Sequence, residues 1–151
     1  MRTVKSYPEA WPLHTPFVIA RGTRTEVKVV VVEIEEDGVK GVGEATPYAR
    51  YGESEASVLA QIAALLPALQ QGMTREALQQ ALPAGAARNA IDSALWDLAA
   101  HQQQSSLWQL SGVTAPEDVV TAQTVSIDTP EAMASSALAL WQHGATLLKI
   151  K

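Results

Sequence analysis

The chain has 151 residues, enough for one domain with a hydrophobic core but too short for a complete barrel enzyme of roughly 250 residues. Apolar residues make up 47%, charged residues 18%, and the net charge is -5, which argues against a disordered tail and against nucleic acid as a partner. There is no cysteine, signal-peptide core or long apolar run, so we expect a soluble cytoplasmic protein without disulfides or membrane contact.

The N-terminal third predicts a small antiparallel sheet. Residues 25–38 are rich in β-branched side chains and end at Asp37-Gly38, a pair that favours a tight hairpin turn. Residues 39–45 (VKGVGEA) form the returning strand, and residues 2–7 are predicted to add a third.

Two segments with proline and glycine, 14–24 and 46–54, are predicted to be loops on either side of this hairpin. Both are longer than a hairpin requires, which makes them candidate binding loops.

Helical spacing of apolar residues begins at Ser54 and continues to Gly72. Residues 74–82 predict a second, short helix. Residues 86–104 give the clearest helical pattern, with a stripe of alanine, isoleucine and leucine on one face.

The last 33 residues predict a βαβ unit. Residues 119–127 are predicted to form a strand, and a helix follows with Thr129 as N-cap, Pro130 in its first turn and Gly144 after its end. Residues 145–151 (ATLLKIK) form the second strand. Strands joined in this way are expected to be parallel neighbours that belong to a larger sheet or barrel.

Lys149 and Lys151 are the chemically distinctive residues of this unit. Side chains at i and i+2 share one face of a strand, so the two ammonium groups project together. Their repulsion is about 2–3 kcal/mol at an effective dielectric constant near 20, which favours a neutral amine that can act as a base. A suitable substrate is a C–H group next to a carboxylate, with a divalent metal to stabilise the charge that develops. Two solvated surface lysines are the alternative.

Four motifs occur together in an order typical of a known family. They are Gly-x-Gly-Glu (41–44), AARNAIDSALWDLAA (86–100), TAQTVSI (121–127) and the final Lys-x-Lys. This layout resembles the enolase superfamily, in its muconate-lactonizing branch, and most closely the N-terminal portion of the bacterial L-Ala-D/L-Glu (dipeptide) epimerases.

The resemblance implies a fold. Residues 1–115 would form the α+β capping domain, a three-stranded antiparallel sheet plus helices. Residues 116–151 would form the first β-α-β of a modified (β/α) barrel, so the chain is truncated within the barrel. The three acidic Mg²⁺ ligands and the opposing lysine of the family would lie beyond residue 151, and we expect the fragment to bind no metal.

The resemblance also implies roles for five residues. Lys151 would be the catalytic acid/base and Lys149 its partner. Arg24 would bind the glutamate carboxylate of the substrate, Ile19 would line the same pocket and Thr124 would contact the substrate. Arg24 as a surface partner of Glu26 and Thr124 as an ordinary strand residue are the alternatives. Tyr48 and Tyr51 are candidate lid contacts.

The implied function is Mg²⁺-dependent epimerisation of a dipeptide during recycling of cell-wall peptides, with the fragment inactive alone. A muconate cycloisomerase or an o-succinylbenzoate synthase-like member of the superfamily is the alternative within the fold. A non-catalytic module that dimerises or pairs with a companion chain is an alternative of another class. A homo-oligomer, or pairing with the missing barrel portion, is expected.

Overall fold

The computed structural model describes residues 2–20 and 22–151. It has a three-stranded antiparallel sheet in the order β1-β2-β3, helices, and a parallel pair of strands, β4-β5. In the described residues no helix is both long and apolar enough to cross a bilayer. The elements are β1 (Thr3–Ile19), β2 (Gly22–Glu36), β3 (Val39–Ala45), α1 (Glu55–Gln70), α2 (Arg75–Ala81), α3 (Ala86–Gln102), α4 (Leu107–Leu110), β4 (Gln123–Val125), α5 (Pro130–Gln142) and β5 (Leu148–Ile150).

The chain divides into two compact units. The first comprises Met1–Trp11 and Lys28–Ala115, and the second comprises Pro12–Val27 and Pro116–Lys151. Strands β1 and β2 therefore contribute to both units.

The predicted hairpin between β2 and β3 is confirmed. Asp37 and Gly38 both have positive φ, 53° and 79°, as a two-residue turn with the twist of an antiparallel pair requires. The turn sets the register, in which Glu36 is opposite Val39 and each following pair moves one residue away along each strand.

The core of the first unit lies between the sheet and the helices. Alternate residues of β2 are fully buried against it, and α1, α2 and α3 present their apolar faces to the same cluster. The predicted sheet followed by helices is thus confirmed. The most deeply buried members are Val30, Val32, Ile34, Val58, Ile62, Leu69, Leu78, Ala90, Ile91, Ala94 and Leu98.

Strand β3 and helix α3 approach so closely that only glycine fits on the strand. A Cβ atom at Gly41 would overlap the backbone of Ala94, and one at Gly43 would overlap the carbonyl oxygen of Ala90. The small alanines on α3 and the two glycines on β3 together permit this contact. The Gly-x-Gly motif therefore serves helix–strand packing.

Side chains of α3 also cover the free edge of β3. They lie at four-residue multiples along one stripe of the helix and bind alternate backbone groups of the strand, which protects an edge that is otherwise open to pairing. Asn89 Nδ2 donates to the carbonyl of Glu44 (3.1 Å), Asp97 Oδ2 accepts from the amide of Val42 (2.8 Å), and His101 Nδ1 donates to the carbonyl of Lys40 (2.9 Å).

A carboxylate links the three strands on the polar face of the sheet. Glu33 Oε1 accepts a hydrogen bond from Lys40 Nζ (2.8 Å) and another from the Tyr7 hydroxyl (3.0 Å). These two donors, Lys40 first, hold the pKa of Glu33 below its ordinary value of 4.5. Because the folded-state pKa is the lower one, the stabilisation is present above about pH 4.5 and is lost as pH falls through the lowered value.

We therefore expect the E33Q variant to be less stable than the original chain at pH 7, and expect this difference in unfolding free energy to shrink as the pH falls to about 3. Urea unfolding followed by circular dichroism at both pH values measures it. E35Q, at an exposed neighbouring position, is the control. A difference for E33Q that is equal at both pH values would contradict this assignment.

The helix ends follow the sequence signals. Thr129 caps α5 by accepting a hydrogen bond from the amide of Ala132 (3.3 Å), Pro130 lies in the first turn, and Gly144 has φ 94° just after the end. Ser54 and Ser57 form a reciprocal capping box at the start of α1.

Four predictions of element length were wrong. The segment 14–24 is not a loop, because β1 continues to Ile19 and β2 begins at Gly22, with Arg21 outside the described residues. The third strand accordingly extends far beyond residues 2–7. The strands predicted at 119–127 and 145–151 are each reduced to three residues, since each pairs here with only one neighbour. The short helix α4 was not predicted.

Candidate active site

The two lysines lie where the sequence predicted them, at the end of the second parallel strand. Lys149 lies in β5, Lys151 is the first residue after β5, and both side chains are exposed. The predicted parallel pairing of the two strands is confirmed, with backbone hydrogen bonds from the amide of Gln123 to Leu147 (2.9 Å) and from the amide of Lys151 to Val125 (3.3 Å).

The register brings Thr124 beside Lys149. These two residues are direct partners across the parallel pair, so their side chains leave the same face of the sheet. Lys151 is two residues further along and shares that face. The opposite face carries Val125, which is fully buried. The structure thus brings together three of the five predicted site residues.

The other two lie near the tip of the β1–β2 hairpin, in the same unit. Ile19 ends β1 and is half-buried, and Arg24 lies in β2 and is exposed. The hairpin contacts the segment after β4 through a hydrogen bond from the amide of Ile127 to the carbonyl of Val18 (3.3 Å). Val18, the residue before Ile19, is therefore hydrogen-bonded to the segment that follows the strand carrying Thr124.

A groove of about 510 Å³ lies beside this contact. Within the described residues its lining includes Thr124 but neither lysine, Arg24 nor Ile19. The groove therefore shares Thr124 with the predicted site. Its other lining residues come from the hairpin, the segment after β4 and α5: Thr15, Pro16, Val18, Ser126, Ile127, Asp128, Ala132, Met133, Ser136 and Leu140.

The second predicted loop, 46–54, belongs to the first unit and contains one turn of 3₁₀ helix, Ala49–Tyr51. The rings of Tyr48 and Tyr51 pack together with their centroids 5.5 Å apart. Sequence reasoning missed the residue that holds this loop, Glu53, which accepts hydrogen bonds from the amides of Tyr48 (3.0 Å) and Ala86 (2.7 Å). A sequence signal existed, since α3 begins after Gly85, a residue with no side chain to cap the helix.

Metal ligands were expected only beyond residue 151. In residues 2–20 and 22–151 no three histidine or acidic side chains are grouped so that they could hold a metal ion. The described part of the chain therefore does not by itself fit a Mg²⁺ site.

Comparison with known families identifies the fold. Residues 1–112 match the model of the mandelate racemase / muconate lactonizing enzyme N-terminal domain. The chain belongs to this family. The expected fold, an enolase-superfamily capping domain followed by the start of a barrel, is thereby confirmed.

Similar proteins narrow the relationship further. The chain is 68% identical over all 151 residues to the L-Ala-D/L-Glu epimerase of Escherichia coli K12, and covers 47% of it. It is 41% identical, with a TM-score of 0.89, to an enolase family member from Agrobacterium tumefaciens solved with sodium and L-Ala-L-Glu, covering 100% of this chain and 46% of that one.

A third relative is the dipeptide epimerase of Enterococcus faecalis, solved with Mg and L-Leu-L-Tyr, at 33% identity and a TM-score of 0.84, covering 98% of this chain and 44% of that one. The chain thus spans about half the length of the relatives that it matches. It corresponds to their N-terminal part.

Proposed function

We propose that this chain is the N-terminal half of a Mg²⁺-dependent dipeptide epimerase. The reaction is a 1,1-proton transfer at the α-carbon of the C-terminal residue of L-Ala-D/L-Glu. The observation that carries the proposal is the Lys149–Lys151 pair beside Thr124 on a parallel strand, in a chain 68% identical to a protein with that activity. In this proposal residues 1–115 form the capping domain and residues 116–151 form the first part of the barrel.

The proposed chemistry assigns Lys151 as the acid/base that removes or returns the α-proton on one side of the substrate. Its position after the last paired residue of β5 leaves its side chain unconfined by the strand ladder and exposed. Lys149, two residues earlier on the same face, is proposed to lie near the substrate carboxylate. Thr124, its strand partner, is assigned a hydrogen bond to the substrate.

Mg²⁺ would be held by residues beyond 151, and the Mg-bound Enterococcus relative supports its presence. When bound, a divalent cation stabilises the negative charge that develops as a carbon acid next to a carboxylate loses its proton.

Substrate selection is assigned to the tip of the β1–β2 hairpin and to segment 46–54. Arg24, at the hairpin tip, is proposed to bind the glutamate side-chain carboxylate, because a guanidinium can bind a carboxylate through two parallel hydrogen bonds. Ile19, at the end of β1, is proposed to line the same pocket. Tyr48 and Tyr51 in segment 46–54 are proposed to cover the bound dipeptide.

The test uses the extended protein, by which we mean this chain continued by the C-terminal half that its relatives carry. We expect it to epimerise L-Ala-L-Glu, and expect R24A to raise the KM for this dipeptide about 10- to 100-fold, the loss of a charge-assisted hydrogen-bond pair. Chiral separation of the products gives both rates.

L-Ala-L-Leu is the matched control substrate, since it has no side-chain carboxylate and R24A should leave its KM unchanged. An equal effect of R24A on both dipeptides would contradict the role of Arg24. Turnover of muconate or of the o-succinylbenzoate precursor in place of dipeptides would favour the alternative chemistries of the same fold.

The chain alone is proposed to be inactive and to require a companion surface. In the second unit large apolar side chains remain exposed, namely Leu138, Trp141, Leu147 and Ile150, and both parallel strands are short. These features support pairing with the remaining barrel, or with a second copy when that part is missing. They are also what a non-catalytic, associating module would show. A cytoplasmic location, consistent with the absence of cysteine, completes the proposal.

A further inference from the structure

Segment 46–54 carries an aromatic pair, half-buried Tyr48 and exposed Tyr51. The Tyr51 side chain is 77% exposed, yet its ring packs on that of Tyr48 at 57° between the ring planes. Because the Tyr51 ring is so largely exposed, it contributes little to the hydrophobic core. An exposed aromatic ring that packs on a second ring in a connecting segment is suited to contacting a ligand.

The turn between the two tyrosines is fixed by its own backbone. The carbonyl of Tyr48 accepts hydrogen bonds from the amides of Tyr51 (2.9 Å) and Glu53 (3.4 Å). Gly52 has φ 75°, a left-handed conformation that favours glycine, and its amide donates to the carbonyl of Ala49 (3.0 Å). These bonds lie within the segment and fix the two tyrosines relative to each other.

Glu53 attaches segment 46–54 to helix α3. One carboxylate oxygen accepts from the amide of Tyr48, and the other accepts from the amide of Ala86 in the first turn of α3. Ala86 is buried, and α3 is the long helix that packs against the sheet. A carboxylate at a helix N-terminus is also favoured by the helix dipole. The loop is therefore attached to the N-terminus of α3, the helix that packs on β3.

Gly85 leaves room for the Glu53 carboxylate in this attachment. Its φ of 167° is an extended backbone that any residue adopts, so its conformation does not require glycine. A Cβ atom there would lie 2.8 Å from Oε1 of Glu53, closer than such contacts are found, so an alanine at this position would force the Glu53 carboxylate to shift. Glycine at this position lets the carboxylate reach the amide of Ala86.

We propose that Glu53 and Gly85 are positioning residues for substrate recognition. By fastening segment 46–54 to α3, they hold Tyr48 and Tyr51 as a preformed aromatic surface that contacts the dipeptide. This inference rests on the proposed function, and it adds the pair of residues that fixes the lid segment in its binding conformation.

Hydrogen exchange on the 151-residue chain tests the attachment without any activity. We expect E53Q and G85A to speed exchange of the Tyr48 and Ala86 amides about tenfold, with no change at buried α3 positions such as Ile91. E55Q, which changes a neighbouring glutamate that lies 3.9 Å from exposed Lys28, is the control and should leave these amides unchanged. Unchanged exchange in E53Q and G85A would overturn the proposal.

Steady-state kinetics of the extended protein tests the role in recognition. We expect E53Q and G85A to raise the KM for L-Ala-L-Glu about tenfold with kcat within about threefold. In a Y48A/Y51A background E53Q should add nothing further, because Glu53 acts through those rings. An effect of E53Q that is equally large in that background, or a loss of stability with unchanged KM, would overturn the proposal. If the unaltered extended protein turned over no dipeptide, the proposed function would fail, while the exchange result would still decide whether Glu53 fixes the segment.

Discussion

Replacing Lys151 by alanine in the extended protein is expected to lower kcat for dipeptide epimerisation about 10²- to 10⁴-fold, the usual contribution of a positioned acid/base. Inversion requires a proton to leave one side of the α-carbon and return on the other, so loss of either base stops both directions. Isotope exchange should behave differently. The opposing lysine that we expect beyond residue 151 would still remove the proton of one epimer, so one of the two epimers should continue to exchange its α-proton with solvent.

This combination is what distinguishes a catalytic lysine from a structural one. K151A should abolish inversion, retain α-proton exchange for a single epimer and leave the unfolding free energy almost unchanged, because Lys151 is exposed and lies outside the paired residues of β5. K5A, at an exposed lysine of β1, is the control and should retain full activity. A rate of inversion by K151A equal to that of the unsubstituted protein would contradict the assignment.

The second large effect concerns the fold. Replacing Gly43 by alanine is expected to lower the free energy of unfolding of this chain by about 3 kcal/mol, at the upper end of the usual cost of overpacking. The added methyl group would meet the backbone of α3 at Ala90 and Ala94, which cannot move without displacing the helix from the sheet. Urea unfolding monitored by circular dichroism measures the change.

The neighbouring residue provides the control for this variant. Val42 is 40% exposed, and V42A should cost less than about 1 kcal/mol since it creates no enclosed cavity. If G43A changed the unfolding free energy by no more than V42A, the close approach of β3 and α3 would not be a determinant of stability.

Local signals were sufficient for several elements. The Asp37-Gly38 turn and the Thr129-Pro130 start of α5 depend only on backbone conformations that neighbouring residues select, so sequence reasoning predicted both correctly. The spacing of Lys149 and Lys151 likewise fixed their common face once the strand was known.

Strand β1 was underestimated because the proline and glycine of segment 14–24 were interpreted as loop signals. Pro8, Pro12 and Pro16 are separated by even intervals, so in a regular strand their missing amide hydrogens lie along the same edge. An edge strand tolerates this on its unpaired side, and β1 is an edge strand. Only knowledge of the strand order removes the ambiguity.

Contacts between distant residues were the other omission. Glu53 and Ala86 are 33 positions apart. Gly85 indicates that α3 has no cap of its own, but no local pattern identifies Glu53 as the carboxylate that caps it. The polar stripe of α3, by contrast, has a readable four-residue spacing through Asn89, Asp97 and His101, but its target on β3 becomes evident only from the packing.

The most direct test of the central claim is α-proton exchange catalysed by the extended protein in D₂O with Mg²⁺ and L-Ala-L-Glu, followed by ¹H NMR and chiral analysis. We predict that the glutamate α-hydrogen is replaced by deuterium while L-Ala-D-Glu accumulates. Absence of both deuterium incorporation and inversion, in a folded protein that instead converts muconate or the o-succinylbenzoate precursor, would contradict the assignment as a dipeptide epimerase.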